Sequence, residues 1–276
     1  MQLGFNADAI QFLIDKDIDY KGILNSDEGK LLRTEDINYI VSRYGMYYSA
    51  EKTYISVADI LGRCDVKLGT NILSTMASHF DSQGGGYEQR SISMLEYSNG
   101  EEMIEGLKDS FKSEPMRVSE AEKGKYIMGS NGMHRFTLLR IHYLNELLNG
   151  NISQAELKEK YRIPVELSEI NYFRTYSDYI LNQFGKDTIG IWNKYEEDGR
   201  ISENVELKFK NGTSEIMSES EVKKVVESTL STLNEHEIKT IKYNYELYPS
   251  FKEYIDTNFA EFSEKLAGID LYETWW

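Results

Sequence analysis

The sequence predicts an α+β protein: a small mixed sheet, turned at one strand–turn–helix corner, flanked on both sides by mainly helical extensions. Three observations lead there. Apolar residues recur at helical spacing through most of the first 80 residues and again beyond residue 172. The triple glycine of SQGGGYEQR (82–90) has no reason to sit inside a helix or strand, so it marks a boundary loop or flap. Between these regions, short apolar runs entered by proline alternate with helical ones. The domains expected are a helical extension (1–85), a central α+β domain (86–172) and a mainly helical region with one hairpin (173–276).

At the N-terminus, Asn6 is placed to cap the helix ADAIQFLIDK, with Asp8 an acid in its first turn. Thr34 opens a helix that sets Ile37, Ile40, Val41 and Tyr44 on one face. SVADILGRC and NILSTMASHF, joined by DVKLGT, have helix-turn-helix spacing, but their surroundings are not basic and plain helix packing is the reading taken. RSISMLEYS is a strand-like entry to the central domain. Met103, Ile104, Leu107 and Phe111 then share a helical face. EPMRVS and GKYIMGS are strands, the first entered by Pro115. FTLLRIHYLNELLNG is a helix closed by Gly150, SQAELKEKY is another, and RIPVELSEIN is a strand entered by Pro164. Further on, Val205, Leu207 and Phe209 alternate before Asn211-Gly212, the pair that favours a type I′ hairpin turn. Ser218 and Glu221 form a capping box for the next helix. The tail is an acidic amphipathic helix with an aromatic end.

The 276 residues can bury a sizeable core, and 31 basic against 46 acidic residues give a formal charge of −15. Such a surface repels nucleic acid and anionic membranes, so long nucleic acid is not the expected partner. Cys64 is the single cysteine, which removes an intramolecular disulfide and a Cys-x-x-Cys zinc site and fits a reducing cytoplasm. The first residues do not read as a signal peptide, and no apolar run is long enough to span a bilayer.

Chemistry concentrates in GSNGMHRFTLLRIHYL (129–144). Gly129 and Gly132 let the backbone approach a ligand, and the N–H groups opening the next helix point at it. Arg135 can grip phosphate oxygens with its fork, and His134 can donate a hydrogen bond or move a proton. From Lys112 to Leu144 there are six basic residues (Lys112, Arg117, Lys123, Lys125, Arg135, Arg140) against three acidic ones (Glu114, Glu120, Glu122). A basic island in an acidic chain suits a compact phosphate ligand. Other readings stand beside this one. Arg135 can form a structural salt bridge, His134 can cap the turn, Ser130 and Asn131 can serve the turn itself, and Thr137 can bond the local backbone. His142 reads as amphipathic surface, and His79 and His236, which have no ligand-like neighbours, read as ordinary histidines.

The run from SMLEYSNGEEMIEGLKDSFKSEPMRV through GKYIMGSNGMHRFTLLRIHYL to RIPVELSEI resembles the ParB/sulfiredoxin superfamily. Glu96 matches the acid ending the family's first strand, Gly132-Met133-His134-Arg135 its Gly-x-His-Arg corner, and Ile163-Pro164-Val165 its later strand. The resemblance covers about 80 residues. It implies a nucleotide whose phosphates meet Gly129, Ser130, Asn131, Gly132, Met133, Arg135 and Thr137, with Mg²⁺ and a nucleoside triphosphate, ATP or CTP. It further implies Glu96 as base or metal ligand, beside the plain reading of a solvated glutamate at a strand end, and His134 as a second catalytic group. Two positions depart from the family. Met133 stands where sulfiredoxins need cysteine, and Asn131 stands where many relatives keep aspartate.

Two functions are therefore expected. One is Mg²⁺-dependent phosphoryl transfer, or hydrolysis of a nucleotide or phosphodiester, as in ParB-like nucleases. The other is a non-catalytic regulator of mobile-element type that keeps the corner as a ligand sensor. The helical extensions would then offer a homodimer or protein-partner surface.

Overall fold

The structure, a computed structural model, describes residues 7–63, 71–81, 97–129, 131–150, 152–198 and 200–271. Helices α1 (Ala7–Asp15) and α2 (Tyr20–Asn25) lead to strand β1 (Leu32–Arg33), helix α3 (Thr34–Tyr44) and strand β2 (Tyr47–Ser56). A 3₁₀ turn (Val57–Asp59), β3 (Ile60–Arg63) and α4 (Ile72–Asp81) follow. The middle of the chain runs α5 (Gly100–Gly106), α6 (Lys108–Ser113), β4 (Met116–Glu122), β5 (Lys125–Met128), α7 (Met133–Asn149), α8 (Gln154–Lys160) and β6 (Arg162–Ile170). The last part holds α9 (Tyr172–Phe184), β7 (Thr188–Tyr195), β8 (Ile201–Phe209), β9 (Ser214–Met217), α10 (Glu219–Ser231), α11 (Glu235–Leu247), α12 (Pro249–Asn258) and α13 (Ala260–Ala267).

The mixed helix-and-sheet class is as expected, but the sheet is larger. Six strands are ordered β1-β3-β5-β4-β6-β2. β1 with β3, β3 with β5 and β4 with β6 are parallel pairs, while β4 and β5 are joined by the tight turn at Lys123-Gly124. Three of these strands come from residues 32–63, where the sequence pointed to helices. β2 reads YYSAEKTYIS and lies at the sheet edge, so partner strands do not impose a clean apolar alternation on it. The 3₁₀ turn and β3 also replace the first helix of the pair SVADILGRC and NILSTMASHF, so the plain helix packing expected there does not form, nor does a helix-turn-helix.

The chain divides into two compact units. The first is Met1–Ile37, Ala50–Glu120 and Gly124–Ser168; the second is Asn38–Ser49, Ala121–Lys123 and Glu169–Trp276. The first cut falls in α3, where Asn38 leaves helical geometry (φ −158°, ψ 100°). The core of the first unit gathers Ile23, Ile60, Leu73, Met103, Met116, Phe136, Leu139, Leu144 and Ile163, all nearly inaccessible to solvent. α7 runs through it. Every residue from Arg135 to Leu144 is buried, so this helix is covered on all sides rather than along one stripe. Gly150 ends it in the left-handed conformation at φ 67°.

The second unit packs an aromatic core from Tyr44, Tyr176, Tyr179, Phe251 and Tyr254, with ring centroids 4.9 to 6.1 Å apart. It also holds a three-stranded antiparallel sheet, β7-β8-β9, where the sequence suggested only one hairpin. The hairpin between β8 and β9 exists, but Gly212 alone has positive φ (86°) and Asn211 does not. The Gly212 N–H donates to Phe209 O, and the Phe209 N–H to Thr213 O. This is a three-residue loop ending in a left-handed glycine, not a type I′ turn. Ahead of α10, the Glu221 carboxylate accepts from both the N–H and the hydroxyl of Ser218, as the capping-box spacing predicts.

Candidate functional site

The corner between β5 and α7 is held to β4 by its backbone. The Gly129 N–H donates to Arg117 O at 2.9 Å, and the Arg117 N–H to Asn131 O at 3.4 Å. The Asn131 amide donates to Pro115 O at 3.0 Å, so its side chain serves the turn. Gly132 precedes the helix at φ 91° and ψ 9°, and an added Cβ would come 2.5 Å from Cγ of buried Met116. Both backbone and space thus require glycine here. Gly132 has no side chain to cap the helix, and its carbonyl accepts the Phe136 N–H at 2.9 Å. The amide ends of a 17-residue helix therefore open at this turn without a cap from the position that usually supplies one.

The side chains expected to bind phosphate are distributed unevenly. Met133 is buried. Thr137 is fully buried, and its hydroxyl donates to Met133 O at 2.8 Å, the local alternative noted for it. His134 is half-buried. Arg135 is 5% exposed; its Nη1 donates to the carbonyl and hydroxyl oxygens of Ser110 at 3.3 and 3.4 Å, and its guanidinium lies 5.3 Å from the Phe111 ring centroid. Burial lowers the Arg135 pKa, the Glu114 carboxylate opposes that, and the group stays cationic at any working pH. Glu96 and Ser130 lie outside the described residues, as do Cys64, Glu88, Arg90 and the terminal tryptophans.

The basic island does not converge on the corner. Lys112 pairs with Asp109 at 3.4 Å and Arg117 with Glu166 at 3.3 Å, while Lys123 belongs to the second unit and pairs with Glu253 at 3.7 Å. Arg140 is buried and donates to the carbonyls of Val57 and Glu28 at 2.9 and 3.1 Å. It ties three segments of the first unit together, and only Arg135 of the six belongs to the turn. His142 is 7% exposed rather than on the surface, and burial pushes its pKa down to about 4.

A cleft of about 360 Å³ lies beside the corner, within the first unit. Lys52, Lys108, Lys112 and Arg162 surround it, over a floor that includes Ile104, Phe111, Pro115, Pro164 and Val165. Two of its lining residues also meet the turn: Pro115 accepts Asn131, and Phe111 carries Arg135. Its sequence trace is slight, since Lys52 and Arg162 are 110 positions apart and nothing local couples them. The shared signal is the two strand-entering prolines.

Among the described residues, no three His, Cys, Asp or Glu side chains gather where they could hold a metal, and no helix is long and apolar enough to cross a membrane. Comparison with family models, with curated proteins and with solved structures gave no match.

Proposed function

We propose that this chain is a ParB/sulfiredoxin-like protein that binds a nucleotide or another small phosphate at the Gly132-Met133-His134-Arg135 corner. One observation carries the reading: a long, buried helix starts on a glycine at φ 91° that offers its amide end no side-chain cap. Such an end favours an anion through the partial positive charge of the helix. The phosphates fit this turn through the backbone of Gly129, Ser130, Asn131, Gly132 and Met133. Arg135 adds positive charge behind it from its seat on Ser110 and Phe111.

The chemistry proposed is phosphoryl transfer, or hydrolysis of a nucleotide or phosphodiester. Mg²⁺ would supply charge neutralisation on the phosphates of ATP or CTP, with Glu96 its ligand or the base. His134 is the proton donor closest in sequence to the bound phosphates. The lone Cys64 suits a reducing, cytoplasmic setting. The non-catalytic reading has an observation of its own: Asn131, at the position where relatives keep an acid, spends its amide on Pro115 O.

Calorimetry with ATP, CTP and a short oligonucleotide, each with Mg²⁺, tests the proposal. A nucleotide should bind in one-to-one ratio, with product formation that Glu96→Gln abolishes. Binding without turnover leaves the sensor reading standing and removes the enzyme. No binding by any of the three makes the corner structural.

A further inference from the structure

The cleft beside the corner inverts the charge of the molecule around it. The chain carries −15, yet the residues lining the cleft include four cations, Lys52, Lys108, Lys112 and Arg162, and one carboxylate, Glu105. The carboxylates that engage these cations do so weakly and in solvent: Lys108 with Glu105 at 3.1 Å, Lys112 with Asp109 at 3.4 Å, Arg162 with Glu159 at 3.5 Å. Lys52 has no carboxylate partner among the described residues. The other arm of the Arg162 fork, Nη2, donates to Tyr54 O at 2.8 Å.

The floor is apolar and stiff. The parallel register Met116↔Val165 brings Pro115, just before β4, alongside Pro164, the third residue of β6, and both line the cleft. Neither has an N–H, so this patch of backbone presents no donor to water, and both rings are locked in φ. Phe111, 2% exposed, is backed by Arg135 and cannot swing out of its seat without losing that contact. A concave, apolar floor ringed by four cations against one carboxylate has the anatomy of a small-molecule site, and its volume lies in the range such sites occupy.

We infer that this cleft is a binding site for a small anionic molecule with a flat apolar body, its phosphate or carboxylate held by Lys52, Lys108 and Arg162 and its ring laid against Ile104, Pro115 and Pro164. The inference does not depend on the corner binding a phosphate. Neutral ligands gain only the floor, and inorganic anions gain only screened surface charge, so the pair of features selects molecules that have both.

The test uses the full chain at low ionic strength and calorimetry with 1-naphthyl phosphate, 1-naphthoate, 1-naphthalenemethanol and inorganic phosphate. The two naphthyl anions should bind one-to-one, at least about ten-fold tighter than either the neutral alcohol or inorganic phosphate. The double variant Lys52→Gln/Lys108→Gln should weaken them by about ten-fold or more while its melting temperature stays that of the parent, since both side chains are exposed. Thr53→Trp, on the strand wall, should fill the cleft and remove binding. His134→Ala, at the corner, should leave the affinity unchanged. The inference is overturned by absence of binding at millimolar ligand. Affinity unchanged in the lysine variant overturns it too, as does affinity lost in His134→Ala but retained in the lysine variant. The last outcome would instead assign the anion to the corner.

Discussion

Two buried ionisable side chains carry opposite pH signatures. Burial raises the Asp178 pKa to about 6, only partly offset by the Ile191 N–H donating to its carboxylate at 2.6 Å. Because the folded value lies above the ordinary one, the ionised form costs stability above pH 6, and the cost is relieved as pH falls towards 4. Asp178→Asn should therefore raise stability by about 1–2 kcal/mol at pH 8, a gain that shrinks towards pH 4 in denaturant titrations. His142 behaves in the reverse sense. Its folded pKa of about 4 lies below the ordinary 6.5, so the unfolded chain binds the proton first and stability falls as pH drops from 6.5 to 4. His142→Leu should flatten that fall by about 2–3 kcal/mol between pH 7 and 4.5, read by the same titration. Gly132→Ala should cost about 1–3 kcal/mol, because it adds strain at φ 91° and pushes Met116. A variant as stable as the parent would show that the turn has room to relax. At this scale the sequence was legible where local geometry decides, as at Gly132 and Gly150. It misled on burial decided by distant partners: His142 reads as surface and Arg140 as part of a basic island, and both are buried.

Among the elements, α7 organises the first unit, and Arg140 is its main polar tie. Removing the guanidinium takes the donor from the Val57 carbonyl in a buried place and from the Glu28 carbonyl in a partly buried one. Arg140→Met should cost about 2–4 kcal/mol, and Arg140→Lys should not restore it, since one ammonium cannot reproduce a two-pronged donor. Equilibrium unfolding of both variants checks this; full recovery in the lysine variant would mean that charge, not the fork, is what matters. The elements that sequence could reveal share one property: their apolar pattern agrees with their local punctuation. β4, β5 and β6 have alternating or apolar runs marked by Pro115 and Gly124 at the starts of β4 and β5 and by Pro164 early in β6, and all three were recognised. β2 and β7 carry exposed Tyr54, Trp192 and Tyr195, and their identity comes from the strands they pair with. A single sequence does not display those pairings.

Taken whole, the molecule is strongly acidic, and like charges over its surface oppose compaction. Raising NaCl from about 0.02 to 0.3 M should therefore raise the melting temperature, as the Debye length contracts from roughly 20 Å to below 8 Å. A fall with salt would mean that the ion pairs outweigh the repulsion. The α+β class was legible at this scale because helix and strand rhythms alternate through the middle of the chain. The division into units was not, since its first cut depends on one residue, Asn38, that leaves helical geometry inside an otherwise continuous helical pattern. The corner was the part of the candidate site that sequence could locate. The cleft beside it joins residues 52 and 162, and only the sheet brings them together.

The interleaved chain path also sets an order of events during synthesis. Residues 38–49 and 121–123 belong to the second unit, but most of their company arrives after residue 169. The Glu122 carboxylate accepts from the Asn38 amide and from the Ser250 N–H, so its last donor emerges 128 residues after it does. Until then, a nascent chain holds an acidic side chain with only its Asn38 donor in place, and the stub of an aromatic core. The first unit can close earlier, because everything it needs ends at Ser168. Ribosomes that stall between these two points would release half-finished molecules with that acid and those rings uncovered, the kind of surface that chaperones and proteases read.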